Sequence, residues 1–232
     1  MTTPANLRID STLIRYSDAY TEQQRLVKLR QSNDIPDFVW LLQHPPVYTY
    51  GRSAGTDDSD LQYLLWDEEK RKANGIELFE TDRGGDITYH GPGQIVGYGI
   101  VDIQPRGSDI HRYLRDLEEV IIKTVESFGF TGERIAGRTG VWVKGAKVCA
   151  MGIRVSRWVT MHGFALNVNP NLSHFTGIVP CGIGDAPVTS LSLLCGRLVT
   201  IEEAHTPLIG ALNEVFDWDF TPVPAFIEEQ LV

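Results

Sequence analysis

Gly140-Val-Trp-Val-Lys-Gly-Ala-Lys-Val-Cys-Ala-Met-Gly-Ile-Arg-Val-Ser-Arg-Trp-Val-Thr-Met-His-Gly-Phe-Ala-Leu-Asn-Val168 decides the fold class. Three runs rich in β-branched and aromatic residues, 140–144, 147–155 and 158–168, are separated by a Gly145-Ala146 turn and a second two-residue break, connections that suit hairpins. The stretch predicts an antiparallel meander. Before it, residues 7–14 read as an edge strand, 17–32 as a mostly polar helix, and 38–42 and 47–50 as strands around His44-Pro-Pro, whose prolines force an extended entry. Residues 60–74 fit a helix stopped by Gly75, and 76–79 and 95–103 fit strands. The clearest helix starts at Ser108, repeats Ile110, Tyr113, Leu114, Leu117, Val120, Ile121, Val125 and Phe128 at helical spacing, and ends at Gly129. After the meander, 171–179 is irregular. Thr200-Ile-Glu-Glu203 opens a helix to Phe216 that Pro207 should kink or divide, and Pro222 and Pro224 suggest a wrapping tail. Strands and helices that do not alternate as βαβ units predict an α+β fold, a mixed, largely antiparallel sheet flanked by helices, as one domain over residues 1–232.

The 232 residues are 42% hydrophobic with a formal charge of -9, enough for a full core and unsuited to non-specific nucleic-acid binding. No apolar run approaches the roughly 20 residues of a membrane span, and the first residues lack a signal-peptide core, so a cytoplasmic protein without membrane association is expected. Cys149, Cys181 and Cys195 form no Cys-x-x-Cys pair, which predicts neither a disulfide framework nor a metal site.

Arg83-Gly-Gly-Asp-Ile-Thr-Tyr-His-Gly-Pro-Gly-Gln94 packs four glycines between two apolar runs. Such a stretch is either a wall that lets a ligand approach the main chain or a hairpin connection whose glycines serve the turn. Its spacing matches no phosphate-binding pattern. Cys181, between Pro180 and Gly182, is the cysteine best presented to a ligand; a thiol reacts as thiolate and needs a neighbouring base. His44, His90, His162, Lys144 and Lys147 are the candidates. Lys147 begins an otherwise apolar strand, although a solvated hairpin lysine would read the same way.

Four motifs, Arg83 to Gln94, Gly140-Val-Trp-Val with Lys147-Val-Cys-Ala-Met-Gly-Ile-Arg154, His162-Gly-Phe-Ala-Leu-Asn-Val168 and Ile178-Val-Pro-Cys-Gly-Ile183, resemble in order and spacing the LipB-type octanoyltransferases of lipoate biosynthesis. The resemblance runs from His44 to about Ser190. It implies the fold shared with biotin and lipoate protein ligases. It also implies an acyltransferase that carries an octanoyl group from acyl carrier protein to a lysine of lipoyl domains, on 2-oxoacid dehydrogenase E2 subunits and the glycine-cleavage H protein. No separate cofactor is implied, because the acyl group arrives on the carrier's phosphopantetheine. By motif, Cys181 becomes the nucleophile that forms an acyl thioester and Lys147 its base. Arg83, Gly84, Gly85, Asp86, Ile87, Thr88, Tyr89, His90, Ala150, Met151, Gly152, Gly163, Phe164 and Ala165 become the binding residues, with Arg83 toward the anionic end of the donor.

Two positions depart from the family pattern, Cys149 and Gly99. Cys149 lies close enough to Lys147 in sequence to suggest competition for the acyl group. An acidic chain that receives an acidic carrier further predicts a basic patch drawn from Arg83, Arg134, Arg138, Lys144, Arg154 and Arg157. The competing readings are an ATP-dependent lipoate or biotin ligase, a non-catalytic acyl-binding module of the same fold, and a Cys-His hydrolase.

Overall fold

The computed structural model describes residues 2–51, 61–179 and 187–226. The chain begins with β1 (Thr3–Leu13), α1 (Tyr16–Gln31), β2 (Asp37–Gln43), β3 (Val47–Tyr50) and α2 (Glu68–Ala73). Next come β4 (Glu77–Glu80), β5 (Ile87–His90), β6 (Gln94–Ile100), α3 (Ile110–Glu126), β7 (Glu133–Ile135), β8 (Arg138–Val143), β9 (Ala146–Ser156) and β10 (Val159–Asn167). It ends with α4 (Leu191–Cys195), α5 (Ile201–Phe216) and β11 (Trp218–Pro222).

Eight strands form one mixed sheet in the order β11-β1-β2-β6-β10-β9-β8-β7, and β4-β3-β5 form a second, smaller one. β1 runs parallel to both β11 and β2, while every pair from β2 to β7 is antiparallel. The expected meander is the β8-β9-β10 unit. β1 is not an edge strand, because β11 from the supposed tail pairs outside it. Trp218 anchors β11, buried and stacked on Phe216 at 4.2 Å, and Pro222 sits at the last strand position, where its missing N–H costs least.

The apolar stripe of α3 (Tyr113, Leu117, Val120, Ile121, Val125) and that of α5 (Ala204, Leu208, Ala211, Leu212, Phe216) cover one sheet face, and α1 covers the other with Tyr16, Ala19, Leu26 and Val27. Each fully buried aliphatic side chain contributes about 1.5–3 kcal/mol, so these stripes hold the helices down. Asp109, not Ser108, caps α3, its carboxylate accepting the Arg112 N–H. Thr200 caps α5 as the capping box predicts, and α5 runs through Pro207 undivided. The helix expected over 60–74 shortens to α2, because Asp67 caps at Lys70 and Leu64 forms a bridge to Ile178. Residues 171–179 contain a 3-10 helix, Leu172–Gly177. No helix among the described residues is long and apolar enough to cross a membrane.

Candidate active site

On the α1 face of the large sheet, β9 and β10 place small residues opposite one another: Gly152 pairs with Gly163 and Ala150 with Ala165. This patch is the floor of a trough. Phe164, between the two small residues of β10, joins the core on the opposite face, its ring tip 2.2 Å from where a Cβ on Gly97 would stand. The roof is the glycine-rich stretch. The Gly84 N–H donates to the Ile153 carbonyl at 3.0 Å, and a Cβ on Gly152 would sit 2.7 Å from the Gly84 carbonyl oxygen, so glycine is what lets loop and sheet meet. Tyr16, Val96 and Tyr98 close the sides of a cavity with about 480 Å³ of space, including the part open to solvent.

Of the residues expected to bind, Arg83, Gly84, Gly85, Thr88, His90, Ala150, Met151, Gly152, Gly163, Phe164 and Ala165 line this cavity. Asp86, Ile87 and Tyr89 do not. The stretch contains a strand, β5, whose alternation sends Ile87 and Tyr89 into a separate core with Tyr48, Trp66 and Phe175. Asp86 offers its backbone carbonyl to Arg83 and to the Gly51 N–H. Arg83 is buried and its guanidinium donates to the carbonyls of Thr49 (2.6 Å), Asp86 (2.9 Å) and Gly84 (3.1 Å), tying the loop to β3 where the sequence suggested a contact to the donor's anionic end.

Three histidines surround the cavity in neutral form. His44 Nδ1–H donates to the Ile14 carbonyl at 2.6 Å and Nε2 accepts from the Tyr98 hydroxyl at 2.7 Å; burial pushes its pKa down to about 4. Burial, with His44 and Arg83 close by, holds His90 well below the usual histidine range. Burial also lowers His162, against the opposing pull of Asp82. The histidines thus give the site polar groups without adding charge.

Gln94 and Asn167, which the sequence reading passed over, form a buried chain out of the cavity. The Gln94 amide nitrogen donates to the Tyr89 backbone carbonyl and to Asn167 Oδ1, and Asn167 Nδ2 donates to the Thr189 carbonyl. Gln94 Oε1 is therefore the acceptor for His90 Nδ1–H at 3.3 Å. The only advance signal was two amides placed in apolar strand runs, a pattern that requires buried partners.

Lys147 is buried at 5% exposure. Its N–H donates to the Pro187 carbonyl at 2.8 Å and its own carbonyl accepts from Thr189 at 2.9 Å, so the chain downstream of 180–186 is zipped onto it. Its amine lies 3.4 Å from the Thr139 carbonyl and 4.8 Å from the Trp142 ring centroid. The side chain leans over Gly140, where a Cβ would be 3.4 Å from Lys147 Cε, and Gly140 pairs with the cavity residue Ala150. Cys181 lies outside the described residues. Val179, just before that segment, donates to the Tyr63 carbonyl at 2.8 Å. Cys149 is buried in the core and burial raises its thiol far above the usual range, which leaves it unsuited to capture an acyl group.

Of the six cations expected to form a basic patch, five are engaged locally. Arg134 pairs with Glu118 and Glu119, Arg154 with Asp82, Arg157 bonds Gln31, Lys144 lies over Phe130 and Arg83 is turned inward. Each of these five cations is drawn to an acceptor or ring of its own. Among the described residues, no group of three or more His, Cys, Asp or Glu side chains could hold a metal ion.

The family described as the lipoyl protein ligase A/B catalytic domain matches residues 15–213. The chain is 47% identical over 204 residues to an octanoyltransferase of Rubrobacter xylanophilus, covering 88% of this chain and 90% of that protein. It is 48% identical over 211 residues to an octanoyltransferase of Gloeobacter violaceus, covering 90% of each. Among solved structures it resembles a putative lipoate protein ligase of T. acidophilum with bound lipoic acid (TM-score 0.73, 18% identity, 100% of this chain and 93% of that one). It also resembles a lipoate-protein ligase A bound with ATP (TM-score 0.75, 18% identity, 100% and 92%). At those identities the structures speak for the fold alone.

Proposed function

The chain belongs to the octanoyltransferases of the lipoyl protein ligase A/B catalytic-domain family, and from that premise we propose that it moves an octanoyl group from acyl carrier protein to the lysine of lipoyl domains through a thioester on Cys181. The observation that carries the reading is the trough of Ala150, Gly152, Gly163 and Ala165, whose Ala150 pairs with the Gly140 that the side chain of the buried Lys147 leans over. Its walls suit a flat, uncharged chain. Burying the six methylenes of an octanoyl group at ~0.8 kcal/mol each supplies about 5 kcal/mol, enough to prefer it strongly over acetyl.

In the first half-reaction Lys147 takes the Cys181 proton, the sulfur attacks the thioester carbonyl, and the pantetheine thiolate leaves and recovers the proton from Lys147. In the second, the acceptor amine attacks the Cys181 thioester, Lys147 takes a proton from the nitrogen, and the cysteine sulfur departs. The zipping of Lys147 to Pro187 and Thr189 supports this pairing, because the segment that carries Cys181 ends on the backbone of its proposed base.

Intact-mass analysis tests both steps. Incubation with octanoyl-carrier protein should add one octanoyl group, mapped to Cys181 and absent from Cys149, and a lipoyl domain should discharge it. A fully active Cys181→Ala protein with strict ATP dependence would replace this reading with a ligase that activates free acid.

A further inference from the structure

His162 stands in the cavity wall in a conformation that an acyl chain alone does not explain. Its backbone is left-handed at φ 62°, a region a non-glycine residue occupies at a free-energy cost. The side chain is 2% exposed. It is held from two directions: the Gln23 amide oxygen accepts its backbone N–H at 2.9 Å, and the Asp82 carboxylate lies 3.0 Å from Nε2. A carboxylate only accepts, so the proton of the neutral ring resides on Nε2 and Nδ1 is a bare acceptor. That Nδ1 is buried and has no hydrogen-bond partner among the described residues. An octanoyl chain has no donor to offer it, and a leucine or phenylalanine would line the same wall without an orphaned acceptor.

The position of His162 along the trough says what could meet it. His162 pairs with Ile153 on β9, three residues beyond Ala150, the level that the Lys147 side chain approaches over Gly140. Three strand residues span about 10 Å, close to the reach of an extended eight-carbon chain, so a chain with its carbonyl beside Lys147 ends at His162.

We propose that the cavity also takes acyl groups bearing a hydroxyl at the far end of the chain, with His162 Nδ1 accepting a hydrogen bond from the hydroxyl. The inference rests on the octanoyl-transfer reading above and assigns His162, set by Asp82, as the group that determines specificity at the chain terminus.

The test is competition between 8-hydroxyoctanoyl and nonanoyl thioesters, which have the same chain of heavy atoms, both delivered on carrier protein and read as the mass of the acylated lipoyl domain. An apolar pocket disfavours an added hydroxyl by roughly 100-fold. The wild-type protein should discriminate by less than about tenfold. His162→Asn, which tolerates the left-handed backbone and is too short to reach, should restore a ratio near 100-fold. Asp82→Asn, which keeps the shape and frees the tautomer, should give an intermediate ratio and serves if His162→Asn fails to fold. Wild-type discrimination near 100-fold overturns the proposal, as does a ratio that neither variant moves, since a trapped water would then satisfy Nδ1. Failure to transfer octanoyl itself would instead overturn the underlying reading.

Discussion

Replacing Arg83 by Met separates a guanidinium that builds the cavity from one that greets the donor. Met keeps much of the apolar stem and removes a set of hydrogen bonds that includes three charge-assisted ones to the carbonyls of Thr49, Asp86 and Gly84 and a longer one to the Thr49 hydroxyl. At about 1.5 kcal/mol each at the low end, the three carbonyl bonds alone sum to roughly 4–5 kcal/mol. Two effects offset part of that sum. The Asp86 carbonyl keeps the Gly51 N–H at 2.8 Å, and the variant no longer confines a cation in a buried site. A net loss of about 2–4 kcal/mol follows, equivalent to a Tm about 5–15 °C lower for a chain of this size. Thermal unfolding should show that drop, and octanoyl transfer should fall at every carrier concentration because the roof over Gly152 has lost its tie to β3. The salt dependence of KM for the carrier should not change. An unaltered Tm with a raised, salt-sensitive KM would refute the structural role and restore Arg83 as a contact to the donor.

The histidines predict a pH dependence of stability. Their folded pKa values are depressed, so the unfolded chain binds more protons below about pH 6.5 and stability present above that pH is lost as it falls. For His44, whose pKa drops from 6.5 to about 4, the loss between those values is about 3 kcal/mol at about 1.4 kcal/mol per unit. Denaturant midpoints between pH 7.5 and 5 should decline, and a His44→Gln protein should decline less steeply; parallel curves would count against a buried neutral ring. Gly152→Ala would place a Cβ 2.7 Å from the Gly84 carbonyl, with a destabilisation of about 1–3 kcal/mol and at least a tenfold loss of octanoyl transfer expected. Gly210→Ala in α5, with nothing within 4 Å of the new Cβ, should stabilise by up to about 1 kcal/mol. If the two alanine variants behave alike, close approach of the loop is not what Gly152 provides.

The meander was legible because its signals are local: a period of two, β-branched residues and short turns specify β8, β9 and β10 without reference to the rest of the chain. The same is true of α3 and α5, whose apolar stripes and caps lie within a few turns. What escaped were pairings between distant segments. Thr3 meets Trp218 across nearly the whole chain, and no local pattern announces that a proline-bearing tail will shield the neighbouring strand. β5 was hidden for another reason, since glycines on both sides of Ile87-Thr-Tyr-His90 outweigh four residues of alternation. The cavity was legible in its residue types, through the small side chains of β9 and β10 and the glycines facing them. It was not legible in the role of Arg83, three of whose hydrogen bonds go to backbone carbonyls that every residue possesses.

The glycines acquire a sharper meaning from the backbone contacts. A Cβ on Gly51 would lie 2.4 Å from the Gly85 carbonyl oxygen and 2.5 Å from that of Arg83, and one on Gly163 would lie 2.2 Å from the Gly97 carbonyl oxygen. These glycines sit where main chain meets main chain: β3 against the loop, the loop against β9, and β10 against β6. The separation of floor and roof is therefore fixed by backbone contacts and hydrogen bonds that side-chain rotamers do not alter. A slot held in this way has little freedom to widen for a branched or bulky acyl group. On the proposed reading its usable length would be set by side chains, with His162, held by Asp82, toward one end and Lys147 toward the other. Selectivity for thickness would, on that reading, reside in glycines far apart in sequence, and selectivity for the chain terminus in replaceable residues.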